Sequence, residues 1–237
     1  MNVQAILVVT STAPRTWHSI PLQRAEAPES ALREALLGGD EDQFARFVEQ
    51  RYAGMERIAS CAADPREALA LVQQSVIDFC AELAPRGTDL SIDAELFGCL
   101  LRRIRARAAE LGVPDPFEVD EQEIEPSVAS DRFRGDEHRW GGGWVDPPKP
   151  FAEIDAMGPA TVADLQRVLA IALDRLHPAL AVVVVLRDMQ GLTSSEIARL
   201  LSLPEPQART RLHRARSRVR AELEAHLSHR ATQEAPP

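Results

Sequence analysis

Apolar residues recur at helical spacing in two long stretches of the chain. In the first, Ala31, Leu32, Ala35 and Leu36 make a short amphipathic face that Gly38-Gly39 ends. Asp40 then caps a longer helix, with Gln43 three places on in capping-box position. Phe44, Phe47, Val48, Tyr52, Met55, Ile58, Ala59 and Ala62 follow at steps of three and four, which predicts one continuous apolar helix face. Asp64-Pro65 closes that helix and opens the next, because Asp is a good N-cap and Pro is tolerated at the first helical position. The third helix turns Leu69, Val72, Val76, Phe79 and Leu83 inward and leaves Gln73, Gln74, Asp78 and Glu82 on its other face. Pro85 to Thr88 reads as a turn. A fourth helix, Ile92 to Leu111, presents Leu96, Leu100, Ile104 and Leu111 inward and clusters Arg102, Arg103, Arg105 and Arg107 on the rest of its surface, and Gly112 and Pro114 stop it. Residues 29–111 are thus expected to form a helical bundle.

The second stretch opens with a helix from about Val162 to Leu176 and continues with a Pro178-initiated helix to Gln190, whose Ala181–Leu186 portion is apolar on all sides and belongs at the centre of a small domain. Gly191-Leu-Thr-Ser-Ser-Glu-Ile-Ala-Arg-Leu-Leu-Ser-Leu-Pro204 then predicts a helix capped by Thr193 or Ser194, with Ile197, Leu200 and Leu201 buried, and a tight turn at Ser202-Leu203-Pro204. The last helix has Ala208, Leu212, Ala215, Val219 and Leu223 as its inner stripe. Gln207, Arg209, Thr210, Arg211 and Arg214 are therefore expected outward near its start, with Arg218 a turn further on, where a recognition helix meets base edges and phosphates. Between the stretches, residues 112–160 are proline-rich, acidic and then glycine-rich, without an apolar repeat, and read as a linker. Residues 1–28 read as a flexible leader, residues 161–228 as the second domain and residues 229–237 as a flexible tail.

Composition sharpens this to an all-α protein of two small helical domains. Aromatics are only 5% of the 237 residues, and β-branched residues rarely alternate with polar ones, so strands have little raw material. The formal charge is -9, but the signs are segregated: Arg199 to Arg220 holds seven arginines against the single acid Glu205, while Asp115 to Glu125 holds six acids and no base. The acidic run is expected to compete electrostatically with DNA for the arginines. Cys61, Cys80 and Cys99 are widely spaced, with no C-x-x-C pair, which fits reduced thiols rather than a disulfide or zinc framework. No run approaches the ~20 apolar residues of a membrane span. The sequence carries no phosphate loop with lysine, no H-E-x-x-H and no G-x-S-x-G. An enzyme, a cofactor, a metal and a membrane partner are accordingly not expected.

Leu176-His-Pro, Val183-Val-Val-Leu-Arg-Asp188, Gly191-Leu-Thr-x-x-Glu-Ile-Ala and Arg211-Leu-His-Arg-Ala-Arg216 resemble, in order and spacing, region 4 of the bacterial sigma-70 family, in particular its small two-domain extracytoplasmic-function group. The resemblance implies a cytoplasmic sigma factor that binds core RNA polymerase and directs transcription from specific promoters. Its Gln207, Arg209, Thr210, Arg211, Arg214 and Arg218 would face the -35 element of double-stranded promoter DNA. The chain departs from the family pattern at Ser202, where glycine is usual, and at Pro206, Gln207 and Ala208.

Gly39-Asp40, Tyr52, Leu71-Val72-Gln73 and Phe97-x-x-Leu-Leu-x-x-Ile104 resemble region 2 of the same family, in divergent form. That likeness implies that Leu71, Val72, Gln73 and Gln74 grip polymerase and that Arg102, Arg103 and Arg107 belong to a promoter-melting surface. It also makes an anti-sigma protein a plausible partner. Family members usually carry acids at the positions of Leu69 and Ala70, a tryptophan near Leu100 and an asparagine near Arg107. An aromatic that stacks on an unpaired base helps to trap melted DNA. Two alternatives therefore stand beside the sigma factor: a stand-alone helix-turn-helix regulator, and a sigma-like adaptor that binds polymerase without melting promoters.

Overall fold

Local signals account for most of the helix boundaries. The computed structural model describes residues 29–84, 89–120, 145 and 162–234. The expected leader, the Pro85–Thr88 turn, and residues 121–144 and 146–160 of the expected linker lie outside these residues, whereas its start, residues 112–120, is described. Helix α1 spans Glu29–Leu37, α2 Glu41–Ser60, α3 Pro65–Glu82 and α4 Ile92–Leu111. In the second stretch α5 spans Val162–Asp174, α6 Pro178–Val184, α7 Ser194–Leu201 and α8 Glu205–Glu234, and no strand occurs among the described residues. Asp40 accepts from the Gln43 amide at 2.9 Å, and Asp64 accepts from the amides of Arg66 and Glu67. Ser91 caps α4 by accepting from Ala94 N. Helix α8 continues to Glu234, into the stretch expected as a tail.

The expected helix from Pro178 to Gln190 changes character midway. After α6 the backbone widens into a π turn, Val185–Met189, and Gln190 N donates to Val185 O at 3.0 Å. The Gln190 side chain is brought against α2 at Gly54, where an added Cβ would lie 2.3 Å from Gln190 Nε2. Only glycine permits that approach without a shift.

The N-terminal bundle buries most of the expected faces of α2, α3 and α4, with Phe47 and Phe79 stacked at 5.6 Å between centroids. Ala62, however, lies exposed past the end of α2, and α3 turns Ala68 and Leu71 into the core where Leu69 was expected, leaving Leu69 half-buried. Leu111, expected inward, is 54% exposed because it lies in the last turn of α4, next to the Gly112 cap. Arg51 is buried, pairs with Asp93, and its guanidinium lies 4.1 Å from the centre of the Phe47 ring. Arg33 pairs with Glu95 at 3.0 Å and donates to Ala84 O. These two arginines tie α1 and α2 to the first turn of α4.

One continuous apolar cluster takes in both stretches, from Leu36 to Ala215. Polar contacts at its edge join the two halves. Arg57 of α2 pairs with Asp174 and donates to Ala170 O at 2.9 Å. Arg199 of α7 donates to Asp89 O at 2.6 Å, and Glu196 accepts from Ser91 N at 3.0 Å. All three thiols are free, and burial pushes each up to about 11, so they remain protonated near neutrality. No helix among the described residues is long and apolar enough to cross a membrane.

Candidate nucleic-acid interface

Helices α7 and α8 and the turn between them form a helix-turn-helix whose every corner has a local cause. Thr193 starts α7 with a reciprocal capping box: its Oγ1 accepts from Glu196 N at 3.2 Å, and Glu196 Oε2 accepts from Thr193 N at 2.8 Å. Partial burial works to raise the Glu196 carboxyl, but hydrogen bonds from Ser91 and Thr193 outweigh it and hold the group at about 2. The α7 C-terminus closes with Ser202 in the left-handed region (φ 56°), where Ser202 N donates to Arg199 O and Leu203 N to Ala198 O. Pro204 O then accepts from the amides of Gln207 and Ala208, which starts α8.

Ile197, Ala198 and Leu201 are the buried side of α7, and Leu200 is half-buried against Gly98 of α4. On α8 the buried stripe is Ala208, Leu212 and Ala215. The six residues expected to face DNA divide into three groups. Arg209 and Thr210 are exposed, with His213 beside them; Arg209 pairs with Glu205 one turn back, and Thr210 Oγ1 donates to Pro206 O at 3.0 Å. Gln207, Arg214 and Arg218 are half-buried.

Arg211, expected outward, is only 2% exposed, and its Nη1 donates to Phe117 O at 3.0 Å. The physical reason is spacing. Arg211 lies three residues after Ala208 and four before Ala215, which puts it on the border of the inner stripe. Further along, Arg216 forms a two-point pair with Asp188, and Arg220 donates to Glu224.

The expected polymerase-gripping residues also divide. Leu71 and Val72 are buried in the bundle at 8% and 0% exposure, so their side chains cannot form an outer contact in this packing. Gln73 is half-buried and Gln74 exposed, with its amide near Asp78. A contiguous Leu-Val-Gln-Gln run on a helix spans more than one face, and only the part away from the core can reach a partner.

The arginines expected to meet melted DNA are each answered by a carboxylate. Arg102 pairs with Glu82, Arg103 takes Asp78 with two donors, and Arg107 pairs with Glu67 and Glu110. The Arg103 fork holds the Asp78 carboxyl below its ordinary range, and Gln74 assists. Arg105 pairs with Asp115 at 2.7 Å and donates to Leu200 O at 3.0 Å, which links α4 to the end of α7.

Phe117, which no sequence argument singled out, is 2% exposed and part of the core cluster. The only signal for it was one aromatic in an otherwise acidic segment. Among the described residues, no group of three or more His, Cys, Asp or Glu could hold a metal ion.

Residues 167–219 match the family model described as Sigma-70, region 4. The matched stretch takes in most of α5, all of α6, the π turn, α7, the interhelical turn and the first half of α8. Over these residues the chain is similar to sigma-70 region 4, and α7 and α8 form the helix-turn-helix of that matched stretch. No curated protein matches the chain.

Proposed function

We propose that the protein is a sigma factor that binds core RNA polymerase and directs transcription initiation at specific promoters, reading the -35 element with α8. The carrying observation is the coincidence of the region 4 match at residues 167–219 with a capped helix, a left-handed turn at Ser202 and a following helix whose exposed start carries Arg209 and Thr210. Base edges are read by Gln207, Arg209 and Arg214, and phosphates by Thr210 and Arg218. Gln73 and Gln74 are the α3 residues in position to touch polymerase.

One observation favours a second reading, a sigma-like adaptor that binds polymerase and does not melt DNA. Arg102, Arg103 and Arg107 are committed to carboxylates, and Leu100, near which the family usually has tryptophan, is fully buried. Co-elution of the purified chain with bacterial core RNA polymerase, followed by abortive transcription from its own upstream promoter region, separates the readings. Co-elution with transcripts supports the sigma factor. Co-elution without transcripts supports the adaptor, and DNA binding without co-elution supports a stand-alone regulator.

A further inference from the structure

We propose that residues 113–120 are an autoinhibitory strap that holds one edge of α8 against the N-terminal bundle, so that the full recognition face meets DNA only when the strap lets go. The inference rests on the reading of α8 as the DNA-reading helix.

The strap has its own anchors. Gly112 adopts a left-handed conformation (φ 69°) at the end of α4, and Val113 N donates to Ala108 O, which turns the chain back across the bundle. Asp115 then organises the segment: one carboxylate oxygen accepts from Phe117 N at 2.9 Å and the other from Arg105 Nε at 2.7 Å. Exposure alternates from there, with Phe117 buried, Glu118 exposed, Val119 packed on the core and Asp120 exposed. The strap is thus a tight turn at Asp115–Glu118, closed by Glu118 N donating to Asp115 O at 3.1 Å, with two apolar side chains turned inward. The Arg105 guanidinium lies 5.7 Å from the Phe117 ring centre and also donates to Leu200 O, so the same side chain touches the strap and the end of α7.

The strap meets α8 at Arg211, whose guanidinium donates to Phe117 O. A backbone carbonyl there takes a hydrogen bond of the kind that a phosphate oxygen or a guanine acceptor would take. Gln207, Arg211, Arg214 and Arg218 follow one another at steps of four, three and four, so they share one edge of the helix. All four are buried or half-buried, whereas Arg209, Thr210 and His213, on the opposite side, are exposed. A helix built only to pack would place an apolar residue beside the Ala208 and Leu212 stripe, because burying a guanidinium is costly unless its donors are satisfied. The strap satisfies one donor in the closed arrangement. Its hold is a few hydrogen bonds and two apolar side chains, the low-stability kind of contact from which moving parts are drawn.

The test uses the full chain with Phe117→Ala, and with Asp115→Ala as a second variant that loosens the strap without opening a core cavity. Affinity for duplex DNA carrying the protein's own upstream promoter region is measured by fluorescence anisotropy. Hydrogen exchange is followed over residues 113–120 and 205–218. A strap that keeps nine molecules in ten closed weakens apparent affinity about tenfold. Both variants should therefore bind about tenfold tighter than wild type, with faster exchange in the strap. The gain should persist as salt is raised, unlike that of a purely ionic brake by the acidic run. Equal affinity in wild type and variants, with the strap exchanging faster in the variants, overturns the strap and leaves the DNA reading intact. Absence of DNA binding in all forms, with the strap demonstrably released, overturns the DNA reading and the strap with it. Exchange in the wild-type strap already as fast as in the variants overturns the strap alone.

Discussion

Helices α4 and α8 both carry dense arginine runs, and the two runs are engaged differently. The arginines of α4 reach carboxylates on other elements, Glu82, Asp78 and Glu67 on α3 and Asp115 on the segment that follows, and Arg107 adds Glu110 of its own helix. On α8, Arg216 likewise reaches another element, at Asp188 of the π turn, but Arg209 and Arg220 pair with acids one turn away on their own helix, Glu205 and Glu224. A pair between elements fixes how they pack. A pair along one surface helix contributes only about 0.2–0.5 kcal/mol and leaves the guanidinium ready to exchange its carboxylate for a phosphate. An arginine run therefore says little about its role until the acids facing it are known.

The largest test of this contrast is in DNA affinity. Arg209→Ala and Arg214→Ala should each weaken promoter binding by about 1–3 kcal/mol where the residue pairs with guanine, or lower the salt slope by about one where it meets phosphate. Titrations at several salt concentrations distinguish the two, and an unchanged isotherm for both variants would place the reading face elsewhere. Arg103→Ala should leave that affinity unaltered but lower unfolding stability by about 1 kcal/mol, the upper range for a solvent-exposed pair, because the fork to Asp78 is lost. Denaturant unfolding measures it, and a loss of DNA binding at full stability would move α4 into the interface.

A smaller effect of opposite sign separates the turns near the two helices. The chain leaves α4 through Gly112 and approaches α8 through Ser202, both at positive φ. Ser202→Gly should stabilise by up to about 1 kcal/mol, the cost of an L side chain in that region, and raise the melting temperature by about 2–4 °C.

An effect confined to acid is the response of Glu196. Its folded carboxyl, at about 2, lies below the ordinary 4.5, so its contribution is complete above that ordinary value and disappears as pH falls through the folded one. Glu196→Gln should flatten the stability profile between these two values. A profile identical to wild type would show that the hydrogen bonds from Ser91 and Thr193 carry no pH-dependent stability.

Much of this was legible in the sequence because it is local. Asp40, Asp64 and Thr193 announce their caps, and Gly112 and Ser202 mark the ends they close. What misleads is charge, or a contiguous motif, read without the phase of the helix that carries it. The polarity of Arg211 points outward, but its step from Ala208 puts it beside the inner stripe, where it is buried. Leu71, Val72 and Gln73 form one contiguous motif, but a helix turns such neighbours in different directions, and Leu71 and Val72 go to the core. The partners of Arg102, Arg103 and Arg107 depend on how α3 lies against α4, which no periodicity specifies. The π turn left no trace in the uniformly apolar Ala181–Leu186 stretch.

That π turn also sets an angular phase. Closing hydrogen bonds five residues apart rather than four, it holds one residue more than the α turn it replaces, and each residue of a helix is about 100° of rotation. Shortening Val185–Met189 by one residue would return the segment to ordinary pitch and swing Gln190 away from Gly54. Helices α7 and α8 would then be aimed by a different dial setting relative to α4, which small-angle scattering would register as a changed overall shape. An unchanged profile would show that the setting resides in the contacts beyond the turn.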